Sequence, residues 1–348
     1  MSALKPKRRW FQFSLRTLLV FVTLFAILCS WIAMRLEEKR RQSQGAALVQ
    51  KLGGNAHEDL GRYTTFEKLL PDLFFEQIHF VEFKTRNNGL SDADLAEIAR
   101  LLPNTDILFL EFTNVTDAGL KALGGLDELQ YLSLSNTTIS DAGLERLTSL
   151  KRLRILFLDN CRVTDHGLEQ LKVHKLRMLR LCGTQITDVG LSNLLGDKLT
   201  LLALSNTKVT DDGLRYFEQQ DELQSLLLDG TKISDAGLIH LEEMRKLCQL
   251  DLSRTSITDA GLSHLQGINI AIGLSLNDTK ISDAGLAYLK GISQLQSLEL
   301  NGTSVSDAGL EYLKCLPNLN RISLSRTKVT KAGVSNLQQA LPNCRIDF

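Results

Sequence analysis

With 348 residues, 43% of them hydrophobic, the chain can bury a large core, enough for one large or two ordinary domains. Lys plus Arg and Asp plus Glu each total 40, so the balance of charge gives no reason to expect nucleic acid or another polyanion as partner, short of a local basic patch. Low aromatic content and only five prolines fit a repetitive protein with an aliphatic core.

The first sixteen residues carry Lys5, Lys7, Arg8, Arg9 and Arg16 and no acid. From Thr17 to Met34, "TLLVFVTLFAILCSWIAM", no charge occurs over 18 residues. As a helix that stretch is roughly 27 Å long, enough to cross a bilayer core, and Trp10 and Trp31 suit its two interfaces. "ILCSWIA" lacks the small-residue pattern of a cleavage site, so the reading is an uncleaved signal-anchor. Ile27 and Leu28 stand where a lipoprotein site at Cys29 usually has smaller residues. Five basic residues lie on each side of the span, so charge counting leaves the orientation open. Because long downstream domains translocate largely regardless of charge, the repeats are expected outside the cytoplasm; unpaired cysteines argue mildly the other way. Residues 36–52 read as a short helix broken at Gly53-Gly54. Residues 63–90 read as an N-terminal cap with "QIHFVEF" as its strand.

A Ser or Thr before an Asp then recurs at 91, 116, 140, 164, 187, 210, 234, 258, 282, 306 and 330, at intervals of 23 to 25 residues. A near-constant period in this range signals a solenoid. Before most of these positions stands L-x-x-L-x-L-x-x-T, as in Leu199, Leu202, Leu204 and Thr207, whose period of two makes a short strand. After them comes G-L-x-x-L, as in Gly237, Leu238 and Leu241, which is helical spacing. No unit buries its leucines alone, whereas stacking buries them all. The Ser or Thr is placed to cap the helix, the Asp to meet the positive end of its dipole, and the Gly to admit the neighbouring coil. The Thr ending each strand (Thr137, Thr184, Thr207, Thr231, Thr255, Thr279, Thr303, Thr327) is expected to bond the turn backbone of adjacent repeats. Calcium, the other reading of a recurrent D-x-G, needs six to eight oxygens, and each unit offers one regular carboxylate. The first copy, Ser91-Asp92-Ala93-Asp94, lacks the glycine, and the last, Thr330-Lys331-Ala332-Gly333, lacks the acid.

From Ile78 to Phe348 this pattern resembles the leucine-rich repeat family, in its class of 24-residue units ending in T-x-I-T-D-x-G-L. Similar repeats occur in F-box-type substrate receptors and in membrane-anchored bacterial proteins. No F-box-like segment is visible between Gln44 and Gln77, so the bacterial group is the closer match. The resemblance implies an α/β solenoid, a horseshoe with parallel strands on the concave face and short helices on the convex face, preceded here by one transmembrane helix. The expected parts are a basic tail at 1–16, an anchor at 17–34, a juxtamembrane helix and cap at 35–77, and the repeat domain at 78–348.

Scaffold positions are shared by every unit, so specificity falls to the variable concave positions. Ile107, Phe109, Tyr131, Ile155, Phe157, Met178, Leu201 and Leu227 form an apolar half of that face, followed by polar residues from Ser225 onward. An open apolar sheet face fits a protein or peptide partner better than a small molecule. The alternative is that the cap segment, with Phe66, Phe74 and Phe75, folds over it. Tyr216, His240, His264, Tyr288 and Tyr312 form a second stripe, read as helix-flank packing.

No G-x-S-x-G, P-loop or H-E-x-x-H motif is present, and Arg180, Asp251 and Glu299 suggest no catalytic arrangement, so an enzyme is not expected. Nor is any cofactor or metal expected, since the six cysteines make no C-x-x-C pair. The five beyond Cys29 read as buried small hydrophobes, and Cys161 and Cys182 occupy different columns of adjacent repeats, poorly set for a disulfide. The expectation is a membrane-anchored interaction scaffold. The alternatives are a self-associating envelope element, through the edge ending in Ile346 and Phe348, or a substrate adaptor of a degradation complex.

Overall fold

The computed structural model describes residues 15–58, 77–83 and 89–348, except 173, 195–197, 219 and 269. The basic tail and Phe66, Phe74 and Phe75 lie outside the described residues. Thirteen strands form one sheet in strict chain order. They are β1 (Gly54–Glu58), β2 (Ile78–Phe83), β3 (Ile107–Phe109), β4 (Tyr131–Ser133), β5 (Ile155–Phe157), β6 (Met178–Arg180) and β7 (Leu201–Ala203). There follow β8 (Ser225–Leu227), β9 (Gln249–Asp251), β10 (Gly273–Ser275), β11 (Ser297–Glu299), β12 (Arg321–Ser323) and β13 (Arg345–Asp347). All neighbours from β2 onward are parallel; β1, which the leucine pattern does not announce, runs antiparallel to β2 and closes that end.

The middle residue of each short strand from β3 to β12 is buried and lies opposite its counterpart next door, as in Leu156, Leu179 and Leu202. Its two neighbours point the other way, onto the concave face. One continuous core runs from Val49 to Cys344. Between ten-residue helices in the first and last coils (Asp92–Leu101 and Lys331–Ala340), the convex segments are short and mix α and 3₁₀ geometry, because each coil has only about 24 residues for a strand, two turns and the return.

The repeated Ser/Thr-Asp pair joins successive coils. Asp235 accepts the backbone N–H of Thr258 at 2.7 Å and its hydroxyl at 2.6 Å. The same pairing links ten aspartates to the next coil, from Asp92 with Thr116 to Asp307 with Thr330. The hydroxyl's strongest bond is therefore a donation across the repeat. Its capping bond is long, 3.3 Å at Thr164, and missing at Ser140, Thr210 and Ser234, which revises the capping role read from the sequence. The glycine follows from the same ladder. A Cβ on Gly261 would stand 2.3 Å from Asp235 Oδ1, and nine other coils show the same conflict.

The first and last copies depart from this ladder. Asp94, in the glycine column, accepts the Ser91 N–H and hydroxyl from within the same turn. Those bonds hold the Asp94 carboxyl below its ordinary range. Lys331 stands in the column that the ladder aspartates occupy elsewhere. A second correction concerns the strand-end threonines. Thr137 donates to the carbonyl of Leu134 at 2.6 Å, and its equivalents do likewise within their own coil rather than to the next.

The N-terminal helix, α1 (Leu15–Lys51), is continuous over 37 residues, about 55 Å, where the sequence reading had a span and a separate short helix. Nothing between Met34 and Lys39 is a glycine or proline, and the helix stops only at Gly53, with φ of 78°. Its first part is exposed, as at Leu19, Phe21, Phe25 and Ile27. Its last part is packed. Val49 is buried, Gln42 Oε1 accepts the N–H of Ile78 at 2.8 Å, and Gly45 lies against Leu102, the residue after α2 (Asp92–Leu101). It is one helix long and apolar enough, by length and composition, to cross a membrane.

Candidate partner-binding face

The concave positions alternate with the buried leucines, so each side chain leans on its neighbours and leaves one side open. Ile107, Phe109, Tyr131, Ile155, Phe157, Met178, Leu201 and Leu227 are all half-buried. Parallel register sets Ile107 beside Tyr131, Tyr131 beside Ile155, Ile155 beside Met178, and Met178 beside Leu201. Leu227 stands apart from Phe157 by Arg180 and the small, buried Ala203.

Through this patch runs a ladder of rings. His57 meets Phe80 at 5.1 Å, Phe80 meets Phe109 at 5.4 Å, Phe109 meets Tyr131 at 4.6 Å and Tyr131 meets Phe157 at 5.1 Å. These are edge or tilted contacts within the range in which aromatic pairs attract. The Arg180 guanidinium ends the ladder, 5.2 Å over the Phe157 ring and 2.7 Å from Asp159 Oδ2. Burial, with Glu111 and Asp159 nearby, pushes the Tyr131 hydroxyl up to about 12, so it stays a neutral donor. Glu111 accepts from Ser133 Oγ at 2.6 Å.

His57 and Phe80 belong to this face although repeat counting does not reach them. Phe80 pairs with Ile107, 27 residues on, so the first interval exceeds the usual period by about one strand's length. The aromatic character of "QIHFVEF" was the available signal.

Elsewhere the second stripe makes polar side-chain contacts as well as packing. His240 and His264 each lie 2.6 Å from a glutamate of the preceding coil, Glu218 and Glu242, and Lys290 sits over Tyr312 at 4.7 Å. Tyr216, Tyr288 and Tyr312 pack partly buried against the core. All six cysteines are free. Cys161 and Cys344 are buried, but Cys182 and Cys248 are half-buried and Cys315 is exposed, so they are not uniformly core residues. Arg180, Asp251 and Glu299 sit on β6, β9 and β11, with Arg180 engaged by Asp159. Among the described residues no group of three His, Cys, Asp or Glu side chains is placed to hold a metal ion.

A parallel solenoid with leucines stacked in its core and variable residues on the concave face defines a class of repeat protein. A family model described as a leucine-rich repeat matches residues 129–147, one unit of the array. An internalin of Listeria monocytogenes is similar in fold, with 23% identity over 72% of this chain and 76% of its own, at a TM-score of 0.57. A leucine-rich repeat protein of Leptospira interrogans is similar at 18% identity over 73% and 74%, with a TM-score of 0.51. No curated protein sequence matches the chain. The chain thus has the leucine-rich repeat solenoid fold.

Proposed function

We propose that this is a membrane-anchored recognition scaffold that binds a protein or peptide segment on the apolar half of its concave face, with no catalytic step. The observation that carries the reading is the half-exposed ring ladder from Phe80 to Phe157, bordered by Met178 and Leu201. Contiguous apolar surface of this kind, rich in aromatic residues and methionine, matches interface cores. The exposed apolar part of α1 supports insertion in a bilayer, and in this reading the repeats stand on the extracytoplasmic side.

Two experiments test this. Phe157→Asp and Leu201→Asp should each abolish partner capture in cells while leaving the far-ultraviolet circular dichroism unchanged, since both side chains reach the surface. Retained capture in both variants would move the interface elsewhere. Protease treatment of intact cells stripped of any outer barrier should degrade the repeats. Degradation only after lysis would reverse the topology and favour a cytoplasmic adaptor.

A further inference from the structure

The concave face carries a charge imbalance that the neutral total conceals. On the described strands the Lys and Arg residues are Arg180, Arg321 and Arg345, and each contacts a carboxylate. Arg180 pairs with Asp159, and Arg321 and Arg345 share Asp347. Asp229 is matched by Arg254, and Glu82 lies 3.5 Å from His57. Among the described residues three carboxylates form no close ion pair, Arg180 and Arg254 acting on Glu111 and Asp251 only from farther off. Glu111 accepts only from the Ser133 hydroxyl, Asp251 from the Ser253 N–H, and Glu299 from the Asn277 amide. All three are half-buried, where an uncompensated charge is costlier than in open water. Burial, with Asp229 and Glu299 nearby, pushes the Asp251 carboxyl above its ordinary range.

Their spacing narrows what can match them. Glu111 follows β3, while Asp251 and Glu299 lie on β9 and β11, so the three are separated by whole strands, too far apart to share one ion. Separate point charges on one linear ligand fit that arrangement.

We infer that the partner segment is an extended basic and apolar peptide, its large apolar side chains on the ring ladder and its Lys or Arg side chains at Asp251 and Glu299. This rests on the concave face being the binding surface. Strands ~4.8 Å apart put Asp251 about 19 Å and Glu299 about 29 Å from Phe157 along the face. In an extended segment at ~3.3 Å per residue, the basic residues fall about six and nine positions from the apolar anchor. Glu111, beside Tyr131 at the other end, accepts a further basic residue close to the anchor.

A displayed library of random twelve-residue peptides, panned against the full chain in a non-ionic detergent, provides the probes. Selected peptides should combine aromatic or large aliphatic residues with Lys or Arg at that spacing. Asp251→Asn with Glu299→Gln, which keeps both hydrogen-bond acceptors, should weaken them about tenfold, as expected for two partly exposed ion pairs. The variant should also lose most of the salt dependence seen with the unaltered chain. Phe157→Asp should abolish binding. Selection of acidic or uncharged peptides, or affinities indifferent to the Asp251 and Glu299 variant, overturns the inference. If such peptides still lose binding in Phe157→Asp, the concave face stands as the surface and only the charge assignment fails. If no peptide is selected, or none responds to either change, both readings fall.

Discussion

At Asp235 one carboxylate holds two donors of the next coil and occupies the space where a side chain on Gly261 would sit. Asp235→Ala should therefore cost about 2–3 kcal/mol in denaturant unfolding, since the hydrogen bonds are charge-assisted and one donor is backbone. Gly261→Ala should cost about 1–3 kcal/mol by overpacking. The two together should cost less than the sum by about 1 kcal/mol, because removing the carboxylate opens the space the methyl needs. Strict additivity would disprove the coupling. His174 supplies a second residue-scale test. Burial lowers its imidazole pKa, helped by Lys151 and Arg154. With the folded value below the unfolded one, the unfolded chain takes up more protons once pH falls below about 6.5. Stability should thus hold above that pH and fall between it and the lowered folded value. Melting curves at pH 8, 6.5 and 5 should show a drop that His174→Met removes in part.

Among the elements, α1 does two jobs with one helix. Its exposed apolar part and its packed part meet without a break in the helix. Gly45 is the closest approach: a Cβ there would come 2.6 Å from Leu102. Gly45→Val should loosen the docking at a cost of about 1–3 kcal/mol. Amide exchange over residues 42–51 should then quicken while the central strands keep their protection. The strands β3 to β12 were legible because a period of two between leucines is unambiguous when repeated. β1 was not, since "GNAHE" has no such pattern and becomes a strand only because β2 offers an edge.

Over the whole molecule, stacking in chain order leaves two sheet edges, and they are treated differently. β1 and the packed end of α1 cover the first. The last, β13, is blunted by charge, with Arg345 and Arg321 on Asp347. Arg345→Val with Asp347→Val should expose an apolar edge beside Ile346 and Phe348, and sedimentation velocity should then show concentration-dependent association. A monomer at all concentrations would mean that strand brevity alone protects this edge. Charge is also segregated at this scale. Lys151, Arg152, Lys172, Lys175, Arg177 and Lys198 are exposed in the segments leading to β5, β6 and β7, while the concave face keeps unmatched carboxylates.

What the sequence by itself determined was the coil: strand, turn and short helix, repeated with a buried leucine at each register, because local periodicity dictates which side chains face inward. The apolar half of the concave face was legible for the same reason, column by column. Only the tertiary structure decided what passes between coils. The Asp carboxylate reaches the next Ser or Thr about one period away, the rings from Phe80 to Phe157 meet across strands, and Arg180 turns toward Asp159. Those contacts join residues some 21 to 29 positions apart, a separation that no local pattern encodes and that stacking at strand spacing brings within bonding distance.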